Sequence, residues 1–233
     1  MIATVNQWYA EAQDAYRQYN FHLIVHSLIN LVTTQLSSRY LDVVKDRLYT
    51  LAPHDALRRE TQAVLYYTMQ ILVRAVAPIL VFTSEEIYQL APKPADAPSS
   101  VHLSTWWPRW EIGYSEEEQQ RLQRLFSYRD MALKALEELR AQKLIGNSLQ
   151  GEVHFVLPSS EPDLTQADAQ LLQELALCAR VSWQRGDGFN VQAQPTTWPR
   201  CERCWRYTED VGHDRHHPDV CRRCADVLSE AGL

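Results

Sequence analysis

Hydrophobic positions in the first half of the chain recur at steps of three or four residues, which is the period of an α-helix. An opening helix over about 2–19 is expected to pack through Val5, Trp8, Ala12 and Tyr16. A second stripe follows Phe21 and contains Val25, Leu28, Val32, Leu36, Tyr40, Val44 and Leu48. The pattern predicts two long amphipathic helices before residue 50.

A third helical stripe runs over 56–91 and contains Leu65, Met69, Leu72, Val76, Leu80 and Ile87. Pro78 lies in its middle and should kink or divide the helix, because proline lacks the N–H that an interior helix position donates. Thr83, with Glu86 three residues later, predicts a capped restart after the kink. Three long helices with short connections predict an antiparallel helical bundle over 1–91.

Prolines 92, 94 and 98 mark a boundary, and 92–150 is predicted to form a connector and a long helix. The connector ends at Tyr114 and is rich in aromatic residues, so it is expected to lie against a domain surface. The helix starts at Ser115, runs to about Leu144 and is stopped by Gly146. Its candidate buried residues are Leu122, Leu125, Met131, Leu133, Leu136 and Leu139.

After residue 150 the pattern alternates between apolar and polar residues, as in a half-buried strand. The alternating positions are Val153, Phe155 and Leu157, then Val181 and Trp183, then Phe189, Val191 and Ala193. A helical stretch over 164–177 separates the first two runs, which predicts a small βαββ unit over 151–197. Residues 198–233 form a tail module. The predicted fold class is mainly α: a helical bundle, a small α/β unit and a C-terminal four-cysteine zinc module.

Composition narrows the function. The formal net charge of −6 excludes a uniformly basic surface for nucleic acid, although a local basic patch remains possible. The longest apolar run, Ala75–Phe82, is too short to span a bilayer, and the first ten residues carry no secretory signal. A cytoplasmic, reducing location is therefore expected, and the five cysteines are not interpreted first as disulfides.

Four cysteines form two C-x2-C pairs, separated by sixteen residues: Cys201 with Cys204, and Cys221 with Cys224. Two such knuckles place four thiolates around one point, which is the ligand set of a structural zinc ion. Four thiolates leave no open coordination position, so we expect no catalysis by this metal. The alternatives are two disulfides, a redox pair, or a loop histidine (213, 216 or 217) in place of one cysteine. Cys178 is expected to be a buried structural thiol.

Arginines and aromatic residues surround the cysteine pairs. Arginine planes and exposed rings bind unpaired RNA bases; the candidates are Arg203, Trp205, Arg206, Arg222 and Arg223. Residues 198–224 also contain five acidic residues against six arginines, so residue types alone leave RNA binding open. Arg58 and Arg59 at a helix start oppose the helix dipole, which suggests a partner phosphate or carboxylate.

Enzyme motifs are absent from the sequence. It contains no G-x-x-x-x-G-K-[ST], no G-x-G-x-x-G, no G-x-S-x-G and no evident catalytic pair of carboxylates. The residues alone therefore do not predict an enzyme.

The order of several segments resembles the C-terminal region of bacterial-type isoleucyl-tRNA synthetases. The matching segments include Tyr40–Tyr49, Arg58-Arg59, Phe82–Ile87, Ile145–Leu149, Cys201–Trp205 and Cys221–Cys224. This resemblance implies that 1–91 is an anticodon-binding domain and that the zinc module helps to hold the anticodon stem-loop. It implies one structural Zn²⁺, and an isoleucine-accepting tRNA and a catalytic synthetase chain as partners.

The family's catalytic and editing domains have no counterpart in this sequence. ATP would bind only to the missing catalytic domain, so we expect the chain alone, a fragment or a separately encoded piece, to be inactive as a ligase. The first helix of the family's bundle is also expected to be missing, which would expose an apolar helix face and favour association or poor solubility.

Other interpretations remain. The chain could be a freestanding RNA-binding module acting in trans, a zinc-capped protein-interaction scaffold, or a truncated product without function. The zinc module also resembles that of formamidopyrimidine-DNA glycosylases. Those enzymes begin with a catalytic proline, whereas this sequence reads Met1-Ile2.

Overall fold

The computed structural model describes residues 1–113 and 115–232, which form two compact units. The first unit contains Met1–Leu48 and Pro53–Gly113, and the second contains Tyr49–Ala52 and the described residues after Gly113. Tyr114, the predicted end of the connector, and Leu233, the predicted end of the tail module, lie outside the described residues.

The first unit is helical. Its elements are α1 (Ile2–Arg17), α2 (Phe21–Asn30), a π-helical segment (Leu31–Leu41), α3 (Asp42–Thr50), α4 (Ala56–Val76), α5 (Val81–Leu90) and a 3₁₀ turn (Val101–Leu103). The last two residues of α3, Tyr49 and Thr50, belong to the second unit. Helix α1 packs against α2 and α4, around a core that includes Val5, Trp8, Tyr9, Ile24, Leu31 and Ile71. The predicted opening helix and the predicted helical bundle are confirmed.

The predicted stripe after Phe21 is wrong at two positions. Val25 and Val32 are exposed, whereas their neighbours Ile24 and Leu31 are buried. Helix α2 carries apolar residues around most of its circumference, so the period does not select one face. Leu36, in the π-helical segment, and Val44, in α3, are buried as the stripe predicts.

Pro78 divides the third helix, as predicted, because α4 ends at Val76 and α5 begins at Val81. The predicted cap at Thr83 is wrong: the N-cap is Leu80, which makes no side-chain capping bond. The Leu80 N–H still donates to the Val76 carbonyl at 2.7 Å, so the chain resumes a helical course two residues after the proline.

Within the first unit, the aromatic connector lies against helices α1 and α4, which agrees with the expectation that it covers a domain surface. The Tyr9 hydroxyl donates to the Trp107 carbonyl at 3.1 Å. The Arg74 guanidinium lies 4.5 Å from the Trp107 ring centroid, a cation–π distance.

The second unit contains the predicted βαββ arrangement. Its elements are α6 (Glu116–Ala141), a 3₁₀ turn (Ser148–Gln150), β1 (Gly151–Leu157), α7 (Gln166–Ala176), β2 (Arg180–Arg185), β3 (Asn190–Pro195) and α8 (Arg222–Glu230). The strand order is β2-β1-β3, with β1 parallel to β2 and antiparallel to β3. Phe155 faces Trp183 on one side and Val191 on the other. The core lies between this sheet and helices α6 and α7. The predicted mainly α class is confirmed.

Helix α6 differs in detail from its prediction. It begins with a capping box between Ser115 and Glu118 but ends at Ala141, and Lys143 has a φ of 59°. Gly146 therefore does not stop it. Met131 is 42% exposed, while Arg129 is buried because its Nε donates to the Leu175 carbonyl at 3.0 Å. Arg129 therefore faces the core, and Met131 does not.

No helix in the described part of the chain combines the length and apolar character needed to cross a bilayer.

Candidate zinc centre and arginine cluster

The four paired cysteines converge in the second unit. The sulfur atoms of Cys201, Cys204, Cys221 and Cys224 all lie within 4.8 Å of one another, and Cys204 is the least buried. The Cys204 and Cys221 sulfurs are 3.8 Å apart. A tetrahedron with Zn–S bonds of ~2.3 Å has edges of about 3.8 Å, so this donor set fits a zinc ion.

Backbone hydrogen bonds shape both knuckles. In the first, the Trp205 N–H donates to the Cys201 carbonyl at 2.8 Å. In the second, Cys221 is the N-cap of α8, and its N–H donates to the Cys201 sulfur at 3.3 Å. The buried apolar residues around the cysteines are Val220 and Ala225. Such a small core cannot order this module, so metal binding must supply the free energy.

Hydrogen bonds within the cluster shift the pKa values of two thiols in opposite directions. The pKa of Cys221 is raised because it shares hydrogen bonds with Cys204 and Cys224. The pKa of Cys224 is lowered because its sulfur accepts hydrogen bonds from the Cys204 and Cys221 thiols, and Arg203 donates a further one. Thiolates this close together need a positive charge to lose all their protons, and a divalent metal supplies it.

Cys178 is buried, as expected. Burial raises the pKa of its thiol to about 12, which keeps it protonated at neutral pH. A protonated buried thiol is not a nucleophile.

Trp205 follows the first knuckle and is 64% exposed. Its φ of 62° lies in the left-handed region, which residues other than glycine rarely adopt. Its backbone N–H bonds into the knuckle, so a rigid turn presents the indole to solvent.

Two of the predicted arginines hold a distant segment of the second unit. Arg203 Nη1 donates to the Thr50 carbonyl at 2.7 Å and lies 3.5 Å from the Cys224 sulfur. Arg223 Nη2 donates to the Thr50 hydroxyl at 3.1 Å. Thr50 was not predicted from the sequence, because no local signal pairs residues that are separated by more than 150 positions.

Arg206 and Arg222 differ in exposure. Arg206 is half-buried, and its charge acts on the nearby Cys178 thiol. Arg222 is exposed, and its backbone N–H donates to Asp210 Oδ2 at 3.1 Å. Trp205 and Arg222 are thus the most accessible of the five candidates around the cysteines.

Arg58 and Arg59 lie in the first unit, in the first turn of α4. The N-cap Asp55 accepts the Leu57 N–H at 2.8 Å and the Arg58 N–H at 3.3 Å, and its negative charge offsets the unfavourable arginines. Arg59 is exposed, and its Nη1 donates to Gln62 at 3.2 Å.

Two known families match the chain. Residues 1–155 match the family described as the anticodon-binding domain of tRNA ligase, and residues 199–227 match the zinc finger found in FPG and IleRS. The zinc-finger match and the cysteine cluster together support a zinc ion.

Similar proteins carry the name isoleucine--tRNA ligase. The relative from Moorella thermoacetica is 38% identical over 95% of this chain and 25% of its own length. Those from Fervidobacterium nodosum and Dichelobacter nodosus are 34% and 32% identical, over 97% and 100% of this chain and 26% and 25% of their own lengths. The chain thus spans about a quarter of the curated relatives that it matches.

Proposed function

The chain belongs to the anticodon-binding domain family of tRNA ligases, and we propose that it grips the anticodon stem-loop of an isoleucine tRNA as one part of an isoleucine–tRNA ligase. Its cellular role is then protein biosynthesis in the cytoplasm. The isoleucine specificity rests on the names of the relatives. One Zn²⁺, held by Cys201, Cys204, Cys221 and Cys224, keeps the tail module folded.

The exposed Trp205 carries the proposal. A large apolar ring exposed to water on a left-handed backbone costs free energy. Such unfavourable features in a folded protein are frequently found at binding sites. Sequence-specific RNA recognition targets unpaired bases, which stack on aromatic side chains, and an anticodon loop presents such bases. The rigid knuckle pre-orders the ring, which lowers the entropy lost on binding.

Arg222 supplies positive charge beside the zinc site. It is exposed and lies in the first turn of α8, next to the ligand Cys221. An arginine fork binds a phosphate oxygen or stacks on a base. Because the chain as a whole carries −6, RNA attraction must come from such local groups. Arg206, Arg58 and Arg59 remain further candidates for phosphate contacts.

Catalysis belongs to another part of the ligase in this proposal. The chain has no recognisable ATP-binding motif and spans about a quarter of its relatives. Isoleucine activation with ATP is therefore assigned to a catalytic domain, on the same polypeptide or on a partner chain. The chain alone should show no aminoacylation.

The test is a titration of the zinc-loaded chain with isoleucine tRNA and with the same tRNA carrying another anticodon, each at two salt concentrations. We expect tighter binding of the cognate tRNA and an affinity that falls with salt, at a log–log slope of roughly −0.7 per phosphate contacted. Cys204→Ser should abolish this preference. Equal binding of both tRNAs by folded, metal-loaded protein would contradict the proposal.

Two matched pairs of variants locate the contact. Trp205→Ala and Arg222→Gln should weaken cognate binding. Phe82→Ala removes an exposed ring in the first unit, and Arg215→Gln removes an exposed arginine from the zinc loop. Neither control should change the affinity. Equal losses in test and control variants would indicate non-specific attraction.

A protein-interaction scaffold is the second candidate. It is favoured by Phe82 and Leu90, which are 89% and 82% exposed on α5. The same titration separates the two functions. A scaffold would bind neither tRNA measurably, and Phe82→Ala would weaken its association with a protein partner.

A further inference from the structure

Two arginines, each directly before a candidate zinc ligand, converge on the last residue of α3. We propose that Arg203 and Arg223 form a zinc-dependent latch on Thr50, so that an assembled zinc centre holds Tyr49–Ala52 more tightly in place. We call these three residues the arginine latch. The proposal rests on the zinc centre and is independent of RNA binding.

Arg203 bridges two electron-rich groups. Its Nη1 lies 2.7 Å from the Thr50 carbonyl oxygen and 3.5 Å from the Cys224 sulfur. The last carbonyls of a helix have no partner within the helix and lie at the negative end of its dipole. A zinc ion with four thiolates carries a formal charge of about −2. A guanidinium between these groups is attracted by both.

Arg223 adds a second, separate hydrogen bond. Its Nη2 donates to the Thr50 hydroxyl at 3.1 Å. Thr50, Leu51 and Ala52 are all buried. A buried carbonyl or hydroxyl that loses its partner is costly, so the two arginines stabilise this segment strongly.

The positions of both arginines depend on the metal. Arg203 precedes Cys204, and Arg223 precedes Cys224, so each guanidinium is placed by the knuckle that contains it. The apolar core of the module consists mainly of the cysteines themselves. When the thiolates lose their common cation, the knuckles lose their order, and Thr50 loses both donors. Segment Tyr49–Ala52, between α3 and α4 in the chain, is then released.

The first experiment follows amide hydrogen exchange in peptides covering 49–52 of the full chain. In zinc-loaded protein, Arg203→Met should accelerate exchange about tenfold, as expected when a hydrogen bond from a charged donor is lost. Chelating the zinc in the wild-type chain should do the same. Arg215→Met, which removes an exposed arginine from the same loop, should have no effect.

Thr50→Val removes the acceptor of Arg223 without touching the metal-binding module. It should accelerate exchange at 49–52 in zinc-loaded protein while the zinc affinity stays unchanged. If Arg203→Met fails to hold metal, Thr50→Val and Arg223→Met decide the question. Unchanged exchange in Thr50→Val, or slow exchange at 49–52 after chelation, would overturn the latch.

A spectroscopic readout separates the latch from a merely structural role. Replacing zinc by Co²⁺ gives thiolate-to-metal charge-transfer bands. Arg203→Met should shift these bands to longer wavelength. The hydrogen bond from Arg203 stabilises the lone-pair electrons of the Cys224 sulfur, so its loss lowers the energy needed to transfer an electron to the metal. Arg223→Met, which removes a hydrogen bond to the Thr50 hydroxyl, should leave the bands in place. Identical bands in Arg203→Met and wild type would remove Arg203 from the metal centre.

Discussion

Trp205 shows how a single residue tolerates an unfavourable backbone. A left-handed conformation costs a residue with a side chain roughly 1–2 kcal/mol, whereas structural zinc contributes on the order of 10 kcal/mol in small peptides. The knuckle therefore imposes the φ of 62° without risk to the fold. Stability alone does not favour tryptophan at this position, which agrees with the proposed role of its exposed ring in RNA binding.

Trp205→Gly separates stability from binding. Glycine adopts the left-handed conformation without strain, so zinc affinity in a chelator competition should stay the same or rise. Loss of the ring should weaken cognate tRNA binding about 5- to 100-fold, the range expected for one stacked base. If zinc affinity and tRNA affinity fall together, the ring supports the module and does not read RNA.

Helix α7 shows how one carboxylate organises an element. Asp168 is buried and accepts hydrogen bonds from the Thr165 N–H at 2.9 Å and from the Thr165 hydroxyl at 2.7 Å. Arg121 Nε of α6 donates to it at 2.7 Å. Burial alone would raise the pKa of this carboxyl, but the hydrogen bonds outweigh burial and lower it. The charged form therefore caps α7 and ties it to α6.

The lowered pKa of Asp168 predicts acid sensitivity. A carboxyl with a lower pKa in the folded state stabilises the fold above its unfolded pKa of ~3.9, and the stabilisation is lost as pH falls through the folded value. Asp168→Asn should lower the free energy of unfolding of the second unit at pH 7 by about 1–2 kcal/mol. In urea denaturation at a series of pH values, the free energy of unfolding of this variant should also fall less steeply as the pH is lowered below about 4. Asp163→Asn, which removes an exposed ion pair with Arg185, should change the stability at pH 7 by less than about 1 kcal/mol.

The start of β1 tolerates no side chain. A Cβ added to Gly151 would lie 2.2 Å from Leu136 Cδ2 of α6, so the strand and helix approach closely there. Gly151→Ala should lower the thermal and urea stability of the second unit by about 1–3 kcal/mol, since overpacking displaces neighbours. A Cβ on Gly188 meets nothing within 4 Å, so Gly188→Ala is the matched control. Equal effects of the two substitutions would contradict the packing argument.

For the molecule as a whole, the exposed apolar side chains of the first unit are expected to determine whether the protein associates in solution. Exposed residues on α2 and α5 include Phe21, Leu23, Ile29, Phe82 and Leu90. Contiguous exposed apolar surface in soluble proteins marks interaction sites or aggregation-prone regions. These residues agree with the expectation that an apolar helix face is exposed.

This exposure predicts self-association. Sedimentation velocity across a tenfold concentration range should show the sedimentation coefficient rising with concentration. The double variant Phe82→Ser and Leu90→Ser should reduce that rise, and Thr83→Ser, on the same helix, should not. A monomer at every concentration would show that the exposed side chains do not attract one another.

The sequence by itself determined the features that depend on short spacings. Two residues between paired cysteines suffice to aim both thiolates at one point, so the four candidate zinc ligands were predictable before any fold was known. Alternation over 151–157 predicted β1, and Pro78 divided its helix because a missing N–H is a local property.

Only the tertiary structure decided which face of each helix is buried and which partner each arginine finds. Helix α2 is apolar on most sides, so contact with α1 selected Ile24 over Val25. Residue type alone made Arg203 and Arg223 candidates for RNA contacts. In the folded chain, Thr50 accepts a hydrogen bond from each of them. A hydrogen bond between residues far apart in sequence forms only if the fold brings its donor and acceptor together. The local sequence around either residue does not determine that distance.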